Sequence, residues 1–174
     1  MVLELPPPAF GFTVYGVAAT KGSKRAFPVR KGGTLTGRSV VVDDSRPALR
    51  TWTAQVTAVI EELASADGWK LVEGPLEVRV TFYLPKPKSA PKSRRTWPAR
   101  KPDLDKLLRA LLDPMTGVLF RDDAQIVRLD AAKRYADDDV LNTRPRVEVW
   151  AWRTEELEAP VLARNAGSRT GGDE

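Results

Sequence analysis

Cysteine and histidine are both missing from the 174 residues. Without thiols the chain has neither a disulfide framework nor a thiolate metal site. Without imidazole it has no Ser-His-Asp triad, no Cys-His pair and no histidine zinc site. Hydrolytic chemistry here has to use carboxylates, lysines, arginines, hydroxyls or a metal held by oxygen. Long apolar runs are missing too, so no segment is predicted to span a bilayer. The opening "MVLELPPPAFGF" places no basic segment ahead of an apolar one, as a secretory signal would. The expectation is a cytoplasmic protein with no membrane partner.

A hydrophobic content of 42% is enough for a core, and 29% charged residues keep the surface hydrated. The length suits one compact domain, expected over 1–154, with a polar, Gly-rich, disordered tail at 155–174. The net charge of +5 is unevenly spread. From Leu5 to Val42 there is no acid, only Lys21, Lys24, Arg25, Arg30, Lys31 and Arg38. Val78 to Pro102 repeats the pattern with Lys86, Lys88, Lys92, Arg94, Arg95, Arg100 and Lys101. Two acid-free basic tracts suit a polyanion partner, and they equally suit solvated loops; charge alone favours neither.

Apolar alternation predicts strands at 10–19, 38–43 and 76–85, the last with Leu76, Val78, Val80, Phe82 and Leu84 on one face. The Gly- and Lys-rich stretch 20–37 reads as a loop. A helix starts after Asp44 or Ser45, with Pro47 in its first turn, and runs to Gly68. Proline and cations in 85–102 exclude regular structure there. A second helix is expected at 103–113, with Leu104, Leu107, Leu108, Leu111 and Leu112 as its apolar stripe. Two closing strands follow, joined by the acidic turn at 137–139. The order predicts a single α+β domain: two helices on a mixed or antiparallel sheet of four to five strands.

The acids concentrate in "KPDLDKLLRALLDPMTGVLFRDDAQI", residues 101–126. Asp103 stands at the N-cap position, where a carboxylate meets free N–H groups and the positive end of the dipole. Asp103 and Asp105 can meet only because the N-cap residue is not yet helical. Asp122 and Asp123 follow where the next strand begins, after a helix leading back toward them. On this reading Asp123 approaches Asp103 and Asp105. The bland reading is a cap, a dipole partner and a turn. Two unit charges about 4 Å apart cost roughly 4 kcal/mol at an effective dielectric near 20. A hard divalent cation relieves that repulsion, and Mg2+ prefers carboxylate oxygen.

The same stretch resembles the core signature of the RusA-family Holliday junction resolvases of bacteria and prophages. That signature is an Asp-x-Asp-Asn-Leu helix start, a lysine four residues after the second Asp, a Gly-Val turn, and Asp-Asp-x-Gln. The basic "ATKGSKRAFPVRKGG" and the helix near Trp52 resemble the family's N-terminal half, so the likeness extends over about residues 10–153. It implies a RusA-like fold and a homodimer that cleaves branched DNA with Mg2+, Mn2+ being a possible substitute. Carried over by motif, Asp103, Asp105 and Asp123 are the catalytic, metal-holding acids, with Asp122 beside them. A two-fold dimer suits paired cuts in a four-way junction.

Two positions depart from the pattern: Lys106 stands for the Asn and Arg109 for the Lys. Arg109 can bind phosphate bidentately, but it does not give up a proton. Lys106 joins the basic residues of loops 20–38 and 85–101 as an expected DNA contact. Asp113 reads as a turn or supporting residue. Trp97, inside "KSRRTWPARK", suits either stacking on an unpaired base or packing onto the core. Trp52, Trp69, Trp150 and Trp152 read as core or core-edge residues. Alternatives to junction resolution are nuclease action on forks or flaps, and DNA binding without catalysis.

Overall fold

The computed structural model describes residues 6–21, 25–31, 34–42, 46–91 and 94–155; for 25–31, 34–42 and 46 only the backbone is described. The expected tail beyond Glu155, and Lys24 and Lys92, lie outside the described residues. Six strands and two helices follow in order: β1 (Phe10–Tyr15), β2 (Arg25–Lys31), β3 (Thr34–Val42), α1 (Arg46–Ala64), β4 (Leu76–Leu84), α2 (Leu104–Met115), β5 (Ile126–Tyr135) and β6 (Arg146–Arg153). The fold is α+β, as the element order predicts.

Four strands form one mixed sheet in the order β1-β6-β4-β5. β4 and β5 run parallel, while β6 is antiparallel to both β1 and β4. Parallel neighbours need a crossover connection, and the basic segment plus α2 supply it. Alternation in β4 buries Leu76, Val78, Val80, Phe82 and Leu84. Trp52, Val56 and Ile60, four residues apart on α1, and Leu107, Leu111 and Met115 on α2 join them in one core. That spacing keeps each apolar set on a single helix face. Among the described residues no helix is long and apolar enough to cross a membrane.

One expectation needs correction. The loop read at 20–37 contains β2 and most of a β2–β3 hairpin. Two glycines between runs with apolar alternation are a hairpin signal that the density of lysine and glycine obscured. The two closing strands are joined through the acidic turn as expected, but they are not neighbours in the sheet: β4 lies between β5 and β6. The connection therefore crosses the end of β4, and buried charge holds it there. Arg146 is 3% exposed and donates to Asp139 Oδ2 at 2.5 Å, Glu148 Oε1 at 2.7 Å and the Asn142 carbonyl at 2.7 Å. Its guanidinium also lies over the Tyr83 ring of β4, 3.7 Å from the centroid.

Candidate active site and nucleic-acid interface

The parallel pair sets the geometry. Leu84 is level with Tyr135, so β4 and β5 end together, and the basic segment leaves from that end. The region beyond the carboxyl ends of parallel strands is where α/β units place ligands. α2 begins at the same end. Lys133, near the close of β5, donates from Nζ to the carbonyls of Arg100 at 3.0 Å and Pro102 at 2.8 Å. This fixes the chain just ahead of Asp103.

Asp103 occupies the N-cap position with extended angles, yet its side chain makes no cap hydrogen bond. It turns instead to Lys106, with Nζ 3.0 Å away. The hydrogen bond and the positive charge of Lys106, with Lys101 and Lys133 adding to it, hold the Asp103 carboxyl below its ordinary range. Asp105 and Arg109 are exposed, and neither forms an ion pair among the described residues. Lys21 docks the first basic tract onto α2: its backbone N–H donates to the Lys106 carbonyl at 3.2 Å, and its ammonium pairs with Asp113.

Asp122 and Asp123 stand at the other end of β5. Asp122 caps a short 3-10 turn, Asp123–Gln125, accepting from the Ala124 N–H at 2.8 Å. Gln125 completes the box: Oε1 accepts from the N–H groups of Arg121 and Asp122, and Nε2 donates to the Val72 and Gly74 carbonyls. The turn is thereby stapled to the segment that enters β4, and Asp123 is left exposed.

The expected meeting of Asp123 with Asp103 and Asp105 inside one chain does not occur. From Ile126 to Lys133 the strand advances seven residues, roughly 23 Å at about 3.3 Å each. Asp103 lies at the Lys133 end and Asp123 before Ile126. Among the described residues no group of three acids stands close enough to hold a metal ion. The cause is directional: α2 runs back along β5, so its N-terminus and the start of β5 are at opposite ends.

The basic tracts divide by exposure. Lys88, Arg94, Arg95, Arg100 and Lys101 face solvent. Lys86 does not, which corrects its reading as a DNA contact. Its side chain is 6% exposed and pairs with Asp138 at 2.6 Å, and its ammonium also donates to the Arg94 carbonyl at 3.2 Å. Lys106 is tied to Asp103. The side chains of Arg25, Arg30 and Lys31 lie outside the described residues. Trp97 is 63% exposed, which removes the core reading for that residue; Trp52 is buried, as expected, and Trp150 is 43% exposed. Lys133, Arg134, Asp138 and Arg146 shape this end of the molecule although the sequence analysis named none of them as site residues; Asp138 carried a signal only as part of the acidic turn.

An α+β domain with an exposed acid at a helix start and exposed cations beside it has the elements expected of a nucleic-acid-processing protein. The sequence matches the family described as endodeoxyribonuclease RusA over residues 21–150, and the chain belongs to that family. A relative from Bacillus subtilis (strain 168), the uncharacterized protein YqaN, is 28% identical over 147 residues, covering 79% of this chain and 92% of its own length.

Proposed function

We propose that this chain is a structure-specific endodeoxyribonuclease that resolves Holliday junctions by paired phosphodiester hydrolysis, in DNA recombination and repair. The family match over residues 21–150 carries this reading. The exposure of Asp105 and Asp123, and of five cations on the second basic tract, supports it. Arg109 binds phosphate bidentately, one turn after Asp105. The exposed cations hold the junction arms through phosphates, without reading sequence.

Among the described residues of one chain no three carboxylates converge on a Mg2+ site, and a homodimer is the functional unit that can bring them together. β5 is an edge strand of its sheet and exposes Val127 at 61% and Leu129 at 41%. Unpaired edges with apolar side chains are templates for pairing with another chain. Two copies of β5 pair antiparallel about a dyad at Arg128, which sets Val127 of each against Leu129 of the other. The same register sets Ile126, which directly follows the turn carrying Asp123, level with Asp130 of the other copy and so directs that turn toward the other copy's Lys133 end. Asp103 and Asp105 of one copy, with Asp123 of the other, would then be the residues to hold Mg2+, or Mn2+ in its place. A metal held there supplies an acidified water and charge neutralisation at the leaving oxygen.

A labelled synthetic four-way junction, incubated with and without Mg2+, tests the activity. Symmetric nicks in opposed strands are expected. Asp105→Asn is expected to lower cleavage by at least a hundredfold while binding holds or tightens, since a negative group leaves a phosphate site. Cleavage within a few-fold of the parent rules out this metal assignment. Preferred nicking of flaps redirects the substrate, and binding without nicks under every divalent ion leaves a non-catalytic DNA-binding protein.

A further inference from the structure

Trp97 exposes most of a large apolar ring at the end of the molecule that carries Asp103 and Asp105. Its neighbours do not share that freedom. The Thr96 N–H donates to Asp138 Oδ2 at 3.2 Å, and Pro98 is buried. Two residues back, the Arg94 carbonyl accepts from the buried Lys86 ammonium, which Asp138 also holds. The Ala99 N–H closes a tight turn onto the Trp97 carbonyl at 2.9 Å. The backbone ahead of Trp97 is pinned to the β5–β6 crossing, the turn after it is closed on itself, and the indole is presented outward from a fixed base.

Two guanidinium groups accompany the ring. The Arg95 Cζ lies 5.1 Å from its centroid and the Arg134 Cζ 5.7 Å. Both are within the range of cation–π attraction, which orients the indole and keeps positive charge beside it. An aromatic face flanked by cations has the composition of single-strand platforms, where a base stacks on the ring and the cations take the phosphates on either side. A paired, stacked base offers no free face; an unpaired base at a branch point does. Lys133 joins this platform to the acids, because it neighbours Arg134 in β5 and grips the two carbonyls ahead of Asp103.

We infer that Trp97, with Arg95 and Arg134, is a stacking platform for a nucleobase unpaired at the branch point, and so distinguishes branched DNA from linear duplex. The inference rests on the nuclease reading and deepens it. Trp97 is here a specificity residue that touches the substrate away from the reacting phosphate.

The test uses the full chain with Ca2+ replacing Mg2+, a four-way junction carrying 2-aminopurine at the branch, and a linear duplex of the same arm sequence. Cleavage of the unmodified junction by the parent in Mg2+ is measured alongside. Stacking in this range is worth roughly tenfold in affinity for one base. Trp97→Ala is expected to weaken junction binding about tenfold, to leave duplex binding within twofold, and to abolish the change in 2-aminopurine emission. Trp97→Phe is expected to keep most of both signals. Equal losses on junction and duplex, or a Trp97→Ala protein that binds the junction like the parent, overturn the platform. If the parent still cuts junctions in that case, only the platform falls. A parent that neither binds nor cuts junctions overturns the nuclease reading and the platform together.

Discussion

Asp122 uses its carboxylate to cap the Ala124 N–H, while Asp123 beside it remains exposed and free for an outside ligand. Adjacent acids are thus separated into a structural role and an available one by a single turn of 3-10 helix. At α2 the separation takes another form, because Asp103 already has a cation in Lys106 and Asp105 has none among the described residues. The lowered pKa of Asp103 gives a direct check of that pairing. A carboxyl whose folded value lies below its unfolded one contributes stability that is complete above the unfolded pKa and fades as pH falls through the folded one. Lys106→Gln removes the hydrogen bond and the largest favourable charge, so the Asp103 titration, followed by carboxyl-carbon NMR, is expected to move up toward the ordinary carboxylate range. A titration that stays in place tells against the pair. At neutral pH Asp103 is ionised in both proteins, so any loss of cleavage in the variant reflects geometry or phosphate attraction.

At the scale of elements, much was legible. Alternation in 76–85 and the leucine spacing of 104–112 identify β4 and α2 because buried faces impose periods of two and 3.6 on the sequence. The DDxQ run was visible as a motif, but its staple to Val72 and Gly74 depends on a contact some 50 positions away that no local pattern encodes. Direction was also hidden. The sequence orders α2 and β5 one after the other, and only the parallel pairing of β4 with β5 shows that their acids end far apart. The crossing from β5 to β6 was hidden for the same reason, and a buried arginine holds it. Arg146→Met keeps the bulk but leaves Asp139 and Glu148 without their cation, and removing one partner of a buried pair costs roughly 3 kcal/mol. For a chain of this length that lowers Tm by on the order of 10 °C. Arg144→Met, an exposed change at the Tyr15 ring, is the control, with a shift of about 2 °C or less expected. A thermal melt in which the two variants move alike shows that the crossing does not depend on Arg146.

At the scale of the whole molecule, the two acidic elements sit roughly 20 Å apart along an edge strand whose outer side has no partner among the described residues. The proposed two-fold pairing through that edge would convert the separation into two composite sites, each made of Asp103 and Asp105 from one copy and Asp123 from the other. Mixing inactive variants distinguishes this arrangement from sites built within single chains. In a mixed dimer of Asp105→Asn with Asp123→Asn, one composite site carries both substitutions and the other carries neither. The mixture is therefore expected to regain nicking of one strand at roughly half the parent rate per mixed dimer, while each variant alone stays inactive. Sites contained within one chain predict no recovery at any mixing ratio, since every chain then carries a damaged site. The dyad itself has an independent check. Val127→Lys with Leu129→Lys places like charges opposite one another across the proposed pairing, where they repel. The double variant is expected to sediment as a folded monomer and to show no nicking, even when mixed with itself at high concentration. A dimer that survives this change, or a monomer that still cuts, places the second copy elsewhere or makes it unnecessary.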